Sequence, residues 1–280
     1  MTPKLLIAGH IVKDVTADGW RLGGGVLYAA AQASRLGVDT AVVTACAGDI
    51  APAALLPDVT WQVQKSEATT TFENIYHDGH RDQRLLARGQ TIDLAALPVG
   101  WLDAQIISLT PLFHEIEPLT VTKLLRSGSL VGVAAQGWLR ELDGDHVRPA
   151  AFEESPSWLS GDVVFVSDED VRDADSVAVW AKRVPIVALT RGRSGCTVWN
   201  ESDRHDVTAA VVREEDPTGA GDVFAMAFLV RFDETHDVVE SARFAAAAGA
   251  LSVRGQGYEA VASRDEIEAL LKLGQVKVAG

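Results

Sequence analysis

The sequence has 280 residues, with 25 Lys and Arg against 39 Asp and Glu, which gives a formal net charge of −14. A chain of this length buries enough apolar surface to fold without disulfides. Its acidic balance argues against nucleic-acid binding, because neutralising phosphates takes clustered Lys and Arg. We expect no membrane span either, since no apolar run approaches the roughly 20 residues that a bilayer requires.

The N-terminus and the cysteines predict a cytoplasmic location. The apolar part of the first nine residues is too short for a secretory signal. The two cysteines, Cys46 and Cys196, lie far apart and without CxxC spacing. This usage fits a reducing compartment and argues against a structural zinc site.

Short β-branched runs alternate along the chain with Ala-rich stretches of helical length. Strands are predicted at 5–8, 40–46, 105–109, 130–135, 163–166, 185–189 and 196–199. Helices are predicted at 26–36, 118–126, 176–181, 222–230, 238–251 and 264–273. This alternation predicts one α/β domain over 1–280 with a doubly wound, mostly parallel sheet flanked by helices.

Residues 60–90 break the alternation. Asp78 and Gly79 stand between two segments of alternating polarity, which is a strong hairpin signal. We therefore predict a small antiparallel sheet inserted into the α/β body. From the residues alone it is an edge decoration, a dimer interface or a lid.

The most informative segment is Asp-Pro-Thr-Gly-Ala-Gly-Asp at 216–222, followed by an apolar stretch at 223–230 that predicts a buried helix. The first N–H groups of a helix lack internal partners and carry the positive end of its dipole, so this glycine-rich start predicts an anion site. Asp222 falls in the first turn, where the dipole alone also favours an acid. A base that takes a hydroxyl proton, while the amides stabilise a phosphoryl charge, explains both features.

This segment resembles the signature of the ribokinase-like (PfkB) carbohydrate kinases, and the resemblance covers nearly the whole chain. It implies the ribokinase-like fold and ATP-dependent phosphorylation of a hydroxyl on a small sugar or polyol. In that family the second Asp of the signature is the catalytic base, a role that falls here on Asp222. The anion hole falls on Gly219, Ala220 and Gly221.

The N-terminal half agrees with the resemblance. Gly-x-x-x-x-Asp at 9–14 is similar to the family motif whose Asp binds substrate hydroxyls, which implies this role for Asp14. The run of Gly23, Gly24 and Gly25 resembles the element where backbone and a helix N-terminus meet the substrate.

Position 28 departs from the family, which usually has Asn where this chain has Tyr28. The change removes a side-chain amide that would bind a sugar hydroxyl and adds an aromatic ring to the predicted site. The segments 26–28, 71–74 and 136–140 resemble the myo-inositol-kinase-like branch, which places Tyr28 and Gln136 among the substrate-binding residues.

A second loop and two acidic positions complete the resemblance. The segment 190–195 is similar to the nucleotide-binding loop, which implies ATP contacts from Thr190, Gly192, Ser194 and Gly195. Ser167 to Asp170 stands where the family organises water around Mg²⁺, so Asp170 is implied as a ligand through water. Asp216 and Thr218 match positions near a monovalent-cation site, which implies K⁺.

The resemblance also interprets the inserted sheet. Lid segments are expected at about 12–22 and 60–90, covering the sugar site and excluding water when closed. In the family this lid often pairs with a second subunit, which implies a homodimer. Arg81, Arg84 and Arg88 lie on or beside it, and we ask whether one of them reaches the transferred phosphate.

Two alternatives stay open. Stacking of Tyr28 on a base would suit a nucleoside kinase of the same fold. The departures at Tyr28, Ser167 and Ala246 also fit a non-catalytic relative that senses sugar or nucleotide, although an intact Asp222 argues against it. The sequence has neither a P-loop nor a dinucleotide-binding glycine motif, so those enzyme classes are disfavoured.

Overall fold

A computed structural model describes residues 1–16, 19–77, 80–125, 128–201 and 203–278. Its strands are β1 (Leu5–Ala8), β2 (Val12–Thr16), β3 (Gly19–Gly23), β4 (Thr40–Cys46), β5 (Thr60–Lys65), β6 (Thr71–His77), β7 (His80–Ala87), β8 (Ile106–Leu109), β9 (Leu130–Ala134), β10 (Arg140–Asp143), β11 (His146–Pro149), β12 (Val163–Ser167), β13 (Ile186–Thr190), β14 (Cys196–Asn200) and β15 (Asp203–Val207). Its α-helices are α1 (Gly25–Arg35), α2 (Pro52–Leu55), α3 (Thr120–Leu124), α4 (Ala220–Thr235), α5 (Val238–Ser252) and α6 (Arg264–Lys272).

The larger of two sheets has the strand order β15-β14-β13-β12-β9-β8-β1-β4-β5. The pairs from β5 through β13 are parallel, and β14 and β15 extend the edge in antiparallel fashion. Both faces are covered, because Leu5 and Ile7 pack in one apolar cluster and Leu6 and Ala8 in another. Burial on both sides explains why these strands are continuous apolar runs in the sequence.

The two apolar clusters differ in composition. One contains α1, α4 and α5, whose small side chains let the helices pack closely on the sheet. The other contains tryptophans: the ring of Trp158 stacks on Trp138 at 5.9 Å and meets Trp180 edge-on at 5.1 Å. Within the described ranges, no helix is both long and apolar enough to cross a bilayer.

The second sheet has the order β10-β11-β7-β6-β2-β3 and is built from three hairpins that are distant in sequence. Its strands pair antiparallel except for β2 and β6, which run parallel. The predicted hairpin turn at Asp78 and Gly79 lies outside the described residues, but β6 and β7 on either side of it form the antiparallel pair that the prediction requires.

Two differences from the sequence expectation concern this sheet. The segment predicted as lid begins too early at residue 60, because β5 pairs with β4 at the edge of the large sheet. An edge strand has one side that faces solvent. Polar and apolar residues therefore alternate along β5 as they do along the strands of an inserted hairpin. The β10–β11 hairpin was not predicted, since its four-residue strands are mostly polar.

The helices also depart from the prediction in detail. The predicted helix at 176–181 lies within a 3-10 segment, Ala174–Lys182, and α3 is shorter than predicted. By contrast, α4 begins two residues earlier than predicted, so Asp222 is the third residue of that helix.

Candidate active site

The turns that follow the central strands gather at one edge of the large sheet. Because β1, β8, β9 and β12 are parallel, their carboxyl ends place His10, Thr110, Gln136 and Asp170 at the same edge. The carboxyl edge is where open α/β sheets bind ligands. The helices α1 and α4 also begin here.

The start of α4 offers N–H groups to a ligand. Gly219 precedes the helix in the left-handed conformation, with φ 77°. The N–H of Ala220 donates to the Pro217 carbonyl at 3.2 Å. Within the described part of the chain, the N–H groups of Gly219, Gly221 and Asp222 donate to no protein acceptor. The set open to an anion therefore differs from the predicted one: Ala220 is engaged, and the N–H of Asp222 takes its place.

The glycine run before α1 packs directly against this segment. A Cβ added at Gly25 would lie 2.5 Å from Oδ1 of Asp222 and 3.3 Å from Cβ of Thr110. A Cβ added at Gly219 would overlap the ring of Tyr28 in α1. The starts of two helices therefore converge on one recess, and both need glycine to come this close.

The Asp222 side chain lies in a strongly perturbing environment. The residue is half-buried. Burial of its carboxyl group, with the negative charge of Asp170 as a second cause, raises its pKa to about 7, against an opposing effect of the Arg140 guanidinium. A carboxyl group with this pKa exchanges a proton close to neutral pH, as a general base must.

Asp14 faces the recess from the second sheet. It lies on β2, where Oδ1 accepts a hydrogen bond from Nδ2 of Asn74 at 3.2 Å. Oδ1 of Asn74 in turn accepts from Nε2 of Gln83 at 2.8 Å. A Cβ at Gly23 would overlap the Asp14 carboxylate, so Asp14 lies directly against the glycine run. The sequence singles out the segment 71–74 but predicts neither the bond from Asn74 to Asp14 nor the part of Gln83, because these residues meet only when β2 pairs with β6 and β6 with β7.

Tyr28 differs from its predicted role. It is only 4% exposed, and its ring lies under Gly219. It offers no aromatic face for a base to stack on. Burial, together with the charges of Asp216, Asp14 and Asp222, raises the pKa of its hydroxyl well above the usual range. Burial and negative charge therefore both favour the protonated phenol.

Gln136 and Asp170 bind each other. Nε2 of Gln136 donates to Oδ1 of Asp170 at 3.1 Å, while the Ser167 N–H donates to Oδ2 at 3.2 Å. The contact occupies the Gln136 amide that was predicted to bind substrate. The described residues contain no cluster of three or more His, Cys, Asp or Glu able to hold a metal. A single carboxylate such as that of Asp170 suits a Mg²⁺ ion that keeps most of its water ligands. It would not suffice for a site in which the protein supplies all the ligands.

Asp216 links the signature to a later loop. Its Oδ1 accepts from the Thr218 N–H at 3.0 Å, and its Oδ2 accepts from the Gly257 N–H at 3.4 Å. The structure thus brings the signature segment and the loop at Gly257 together. Each oxygen of the Asp216 carboxylate therefore already accepts one hydrogen bond from a backbone N–H group.

The predicted nucleotide loop follows β13. Gly192 has φ 47° at an open turn, and Ser194 is exposed beside it. Gly195 is buried, and a Cβ there would overlap the Val207 carbonyl, so this glycine serves chain packing. Thr190 donates to the Val166 carbonyl at 3.4 Å. Only the Gly192–Ser194 turn presents an open surface.

Two of the three lid arginines are engaged elsewhere. Arg84 pairs with Glu73 at 2.9 Å and with Asp145 at 2.5 Å. Arg88 donates to the His114 carbonyl at 3.1 Å and lies over the Phe113 ring. The Arg81 side chain lies outside the described part of the chain.

Fold and site together define a kinase of the ribokinase-like class. A solved pyrophosphate-dependent kinase in the ribokinase family, complexed with a pyrophosphate analog and myo-inositol, matches with a TM-score of 0.80 and 25% identity over 95% of this chain and 99% of its own. The structure of Arabidopsis thaliana ribokinase with ribose and ATP shares the fold, with a TM-score of 0.71 and 19% identity over 97% and 99% of the two chains. The predicted fold class is confirmed.

Sequence comparison gives the family. Residues 161–264 match the model of the pfkB family carbohydrate kinases. The chain is 30% identical to a probable fructokinase-4 of Arabidopsis thaliana over 72% of its length and 69% of that protein. It is also 30% identical to inositol 3-kinase of Oryza sativa subsp. japonica over 80% of its length, but spans only 61% of that protein. This chain belongs to the pfkB carbohydrate kinase family, as the signature predicted.

Proposed function

We propose that this protein transfers a phosphoryl group from ATP to a hydroxyl of a small sugar or polyol. The observation that carries the proposal is the placement of Asp222 beside the unpartnered N–H groups at the start of α4. A titratable carboxyl group with a pKa of about 7 in this position suits proton transfer at neutral pH. Its relatives include sugar and polyol kinases.

In the proposed mechanism, Asp14 holds acceptor hydroxyls from the second sheet, oriented by Asn74. Asp222 takes the proton from the attacking hydroxyl. The N–H groups of Gly219, Gly221 and Asp222 stabilise the charge on the phosphoryl group in transit. The two helix starts supply this positive potential without side-chain charge, which reconciles phosphate binding with a net charge of −14.

Asp170 would hold Mg²⁺ through water, with its carboxylate oriented by Gln136 and Ser167. The ion would neutralise donor phosphate charge next to this acidic recess. We expect donor affinity to fall sharply when Mg²⁺ is chelated, as measured by calorimetry with and without EDTA. Equal affinity in both conditions contradicts this role. A K⁺ site at Asp216 and Thr218 is tested by replacing K⁺ with tetramethylammonium.

Pyrophosphate is the second candidate donor. A structural neighbour with 25% identity is a pyrophosphate-dependent kinase bound to myo-inositol. For ATP, the open part of the predicted nucleotide loop is the turn Gly192–Ser194. Both donors would present the same terminal phosphoryl group to the acceptor hydroxyl that Asp222 deprotonates.

One screen tests donor and acceptor together. Phosphate transfer is measured with ATP or pyrophosphate against myo-inositol, fructose, ribose and cytidine, in Mg²⁺ and K⁺. We expect turnover with a polyol or sugar. Preference for cytidine would support the nucleoside kinase, and no transfer with any pair would support a non-catalytic sensor.

We infer that the second sheet also forms a homodimer interface. Trp20 and Leu142, on its two edge strands, are 50% and 43% exposed, and Leu86 on β7 is 47% exposed. Exposed apolar side chains along a sheet favour pairing with another surface. Sedimentation equilibrium of the wild type and of Trp20→Glu tests this, with a dimer expected for the wild type and a monomer for the variant.

A further inference from the structure

His10 is a buried histidine whose two ring nitrogens bind the two ends of one hairpin of the second sheet. It lies two residues after β1 and is 1% exposed. Its Nδ1 lies 2.7 Å from Oγ1 of Thr70, just before β6, and its Nε2 lies 2.8 Å from the carbonyl oxygen of Gln90, after β7. A Cβ added at Gly89 would lie only 3.0 Å from Cε1 of the ring. The ring therefore packs against both ends of the β6–β7 hairpin, and we call Thr70, Gly89 and Gln90 the hairpin base.

The hydrogen-bond partners assign the tautomer of this histidine. A carbonyl oxygen can only accept, so Nε2 carries the proton and donates to Gln90. In the neutral ring Nδ1 is then the acceptor, and the Thr70 hydroxyl donates to it. The same hydroxyl oxygen accepts from the N–H of Gly89 at 2.9 Å. Each donor in this series has its own acceptor, so the loss of one member leaves a buried polar group unpaired.

The backbone of His10 is tied to the large sheet. Its N–H donates to Oε1 of Glu115 at 3.1 Å, in the loop that follows β8. Glu115 is 1% exposed and also accepts from two N–H groups of its own loop. A buried carboxylate with several backbone donors holds its position, since breaking these bonds would leave the charge unpaired. His10 therefore joins a fixed turn of the large sheet to the hairpin base.

The hairpin base lies next to the strand that carries Asp14. The Lys13 N–H donates to the Thr70 carbonyl at 3.0 Å, and β2 then pairs with β6 so that Asp14 stands opposite Phe72. Four residues beyond Thr70, Asn74 donates to the Asp14 carboxylate. A shift of Thr70 would therefore move both the backbone and the side-chain partner of Asp14.

We propose that His10 is a positioning residue, which acts through the hairpin base to set the place of Asp14 relative to Asp222. The polar groups of the His10 ring are bonded to protein, so the residue acts through Asp14 and not on the acceptor itself. The proposal rests on the proposed function, because the place of Asp14 matters to the reaction only if Asp14 binds acceptor hydroxyls. A hairpin base released from His10 would weaken acceptor binding, while the N–H groups at the start of α4 belong to another segment and keep their place.

Thr70→Val removes the hydroxyl and keeps the shape of the side chain, and Thr40→Val is its matched control. Thr70 and Thr40 are both 1% exposed, but Thr40 begins β4 at the opposite edge of the large sheet, where its Oγ1 donates to the Val38 carbonyl at 2.8 Å. Kinetics use whichever of myo-inositol, fructose, ribose and cytidine turns over fastest. We expect acceptor KM to rise roughly tenfold in Thr70→Val, as for the loss of a buried hydrogen bond, with donor KM and kcat within about threefold. Thr40→Val should lower the melting temperature by a similar amount without changing acceptor KM, and Thr70→Ser, which keeps the hydroxyl, should have nearly the wild-type acceptor KM.

His10→Phe keeps a ring without either nitrogen, so it should raise acceptor KM at least as much as Thr70→Val does. Because both changes break the same series of hydrogen bonds, the double variant should show clearly less than the product of the two single effects. If His10→Phe does not fold, Thr70→Val and Thr70→Ser carry the test. The proposal is overturned by a wild-type acceptor KM in Thr70→Val, by an equal rise in Thr40→Val, by a Thr70→Ser variant that behaves like Thr70→Val, or by single effects that multiply. In each of these cases the wild type still transfers phosphate, whereas a wild type that transfers it to no acceptor refutes the proposed function instead.

Discussion

The two sides of the recess are built in opposite ways. The side at α4 comes from one contiguous segment, where Gly219 and Asp222 stand three residues apart at the start of a buried helix. The acceptor side comes from hairpins far apart in sequence, where Asp14 meets Asn74 only through the pairing of β2 with β6. The first side has a geometry set by one helix turn, and the second depends on the assembly of a sheet. We therefore expect changes at the first to act on kcat and changes at the second to act mainly on acceptor KM.

Asp222→Asn is the strongest test of the α4 side. The amide cannot take a proton, so we expect kcat to fall roughly 10²–10⁴-fold, the usual contribution of a general base. Donor affinity, measured by calorimetry, should stay within about threefold because the backbone N–H groups remain. The control is Asp265→Asn, which removes an exposed acid from the first turn of another helix, α6. Near-wild-type turnover of Asp222→Asn would refute the proposed role.

Gly25→Ala tests the close approach of the two helix starts. The added methyl group would lie 2.5 Å from Oδ1 of Asp222, so the carboxylate must move. We expect kcat to fall by roughly 10–100-fold, since a misplacement of about 1 Å costs this much. Gly48→Ala is the control, because a Cβ there meets nothing within 4 Å. Unchanged kcat in Gly25→Ala would show that the contact is not needed for catalysis.

The sequence predicts these two sides unequally well. The parallel strands and the start of α4 follow from local patterns, since apolar runs and a glycine-rich helix start are contiguous in the chain. The packing of Tyr28 and Gln136 was not predicted, for a different reason. Whether a side chain faces substrate or a neighbour such as Gly219 or Asp170 depends on packing between distant segments.

Asn74→Ala tests the acceptor side. It removes the donor to Asp14 and leaves Gln83 without its partner. We expect acceptor KM to rise by about tenfold, as for the loss of a hydrogen bond to a charged group, with kcat within about threefold. Asn200→Ala, at the exposed end of β14, is the control. A fall in kcat without a change in KM would mean that this side also positions the reacting group.

The smallest expected effect is on stability, and its sign depends on pH. Burial raises the folded-state pKa of Asp222 to about 7, well above its ordinary value of 3.8. Between these two values the folded state binds the proton more tightly than the unfolded state. The stabilisation from this proton is therefore fully present only below pH 3.8 and is lost progressively as pH rises to about 7. We expect Asp222→Asn to melt at a higher temperature than the wild type at pH 8, and by a clearly smaller margin at pH 5. Differential scanning calorimetry at both pH values, with Asp265→Asn beside it, measures this difference. An equal shift at the two pH values would mean that the variant acts through packing. A larger shift at pH 8 than at pH 5 ties catalytic function at α4 to a cost in stability that the acceptor side does not share.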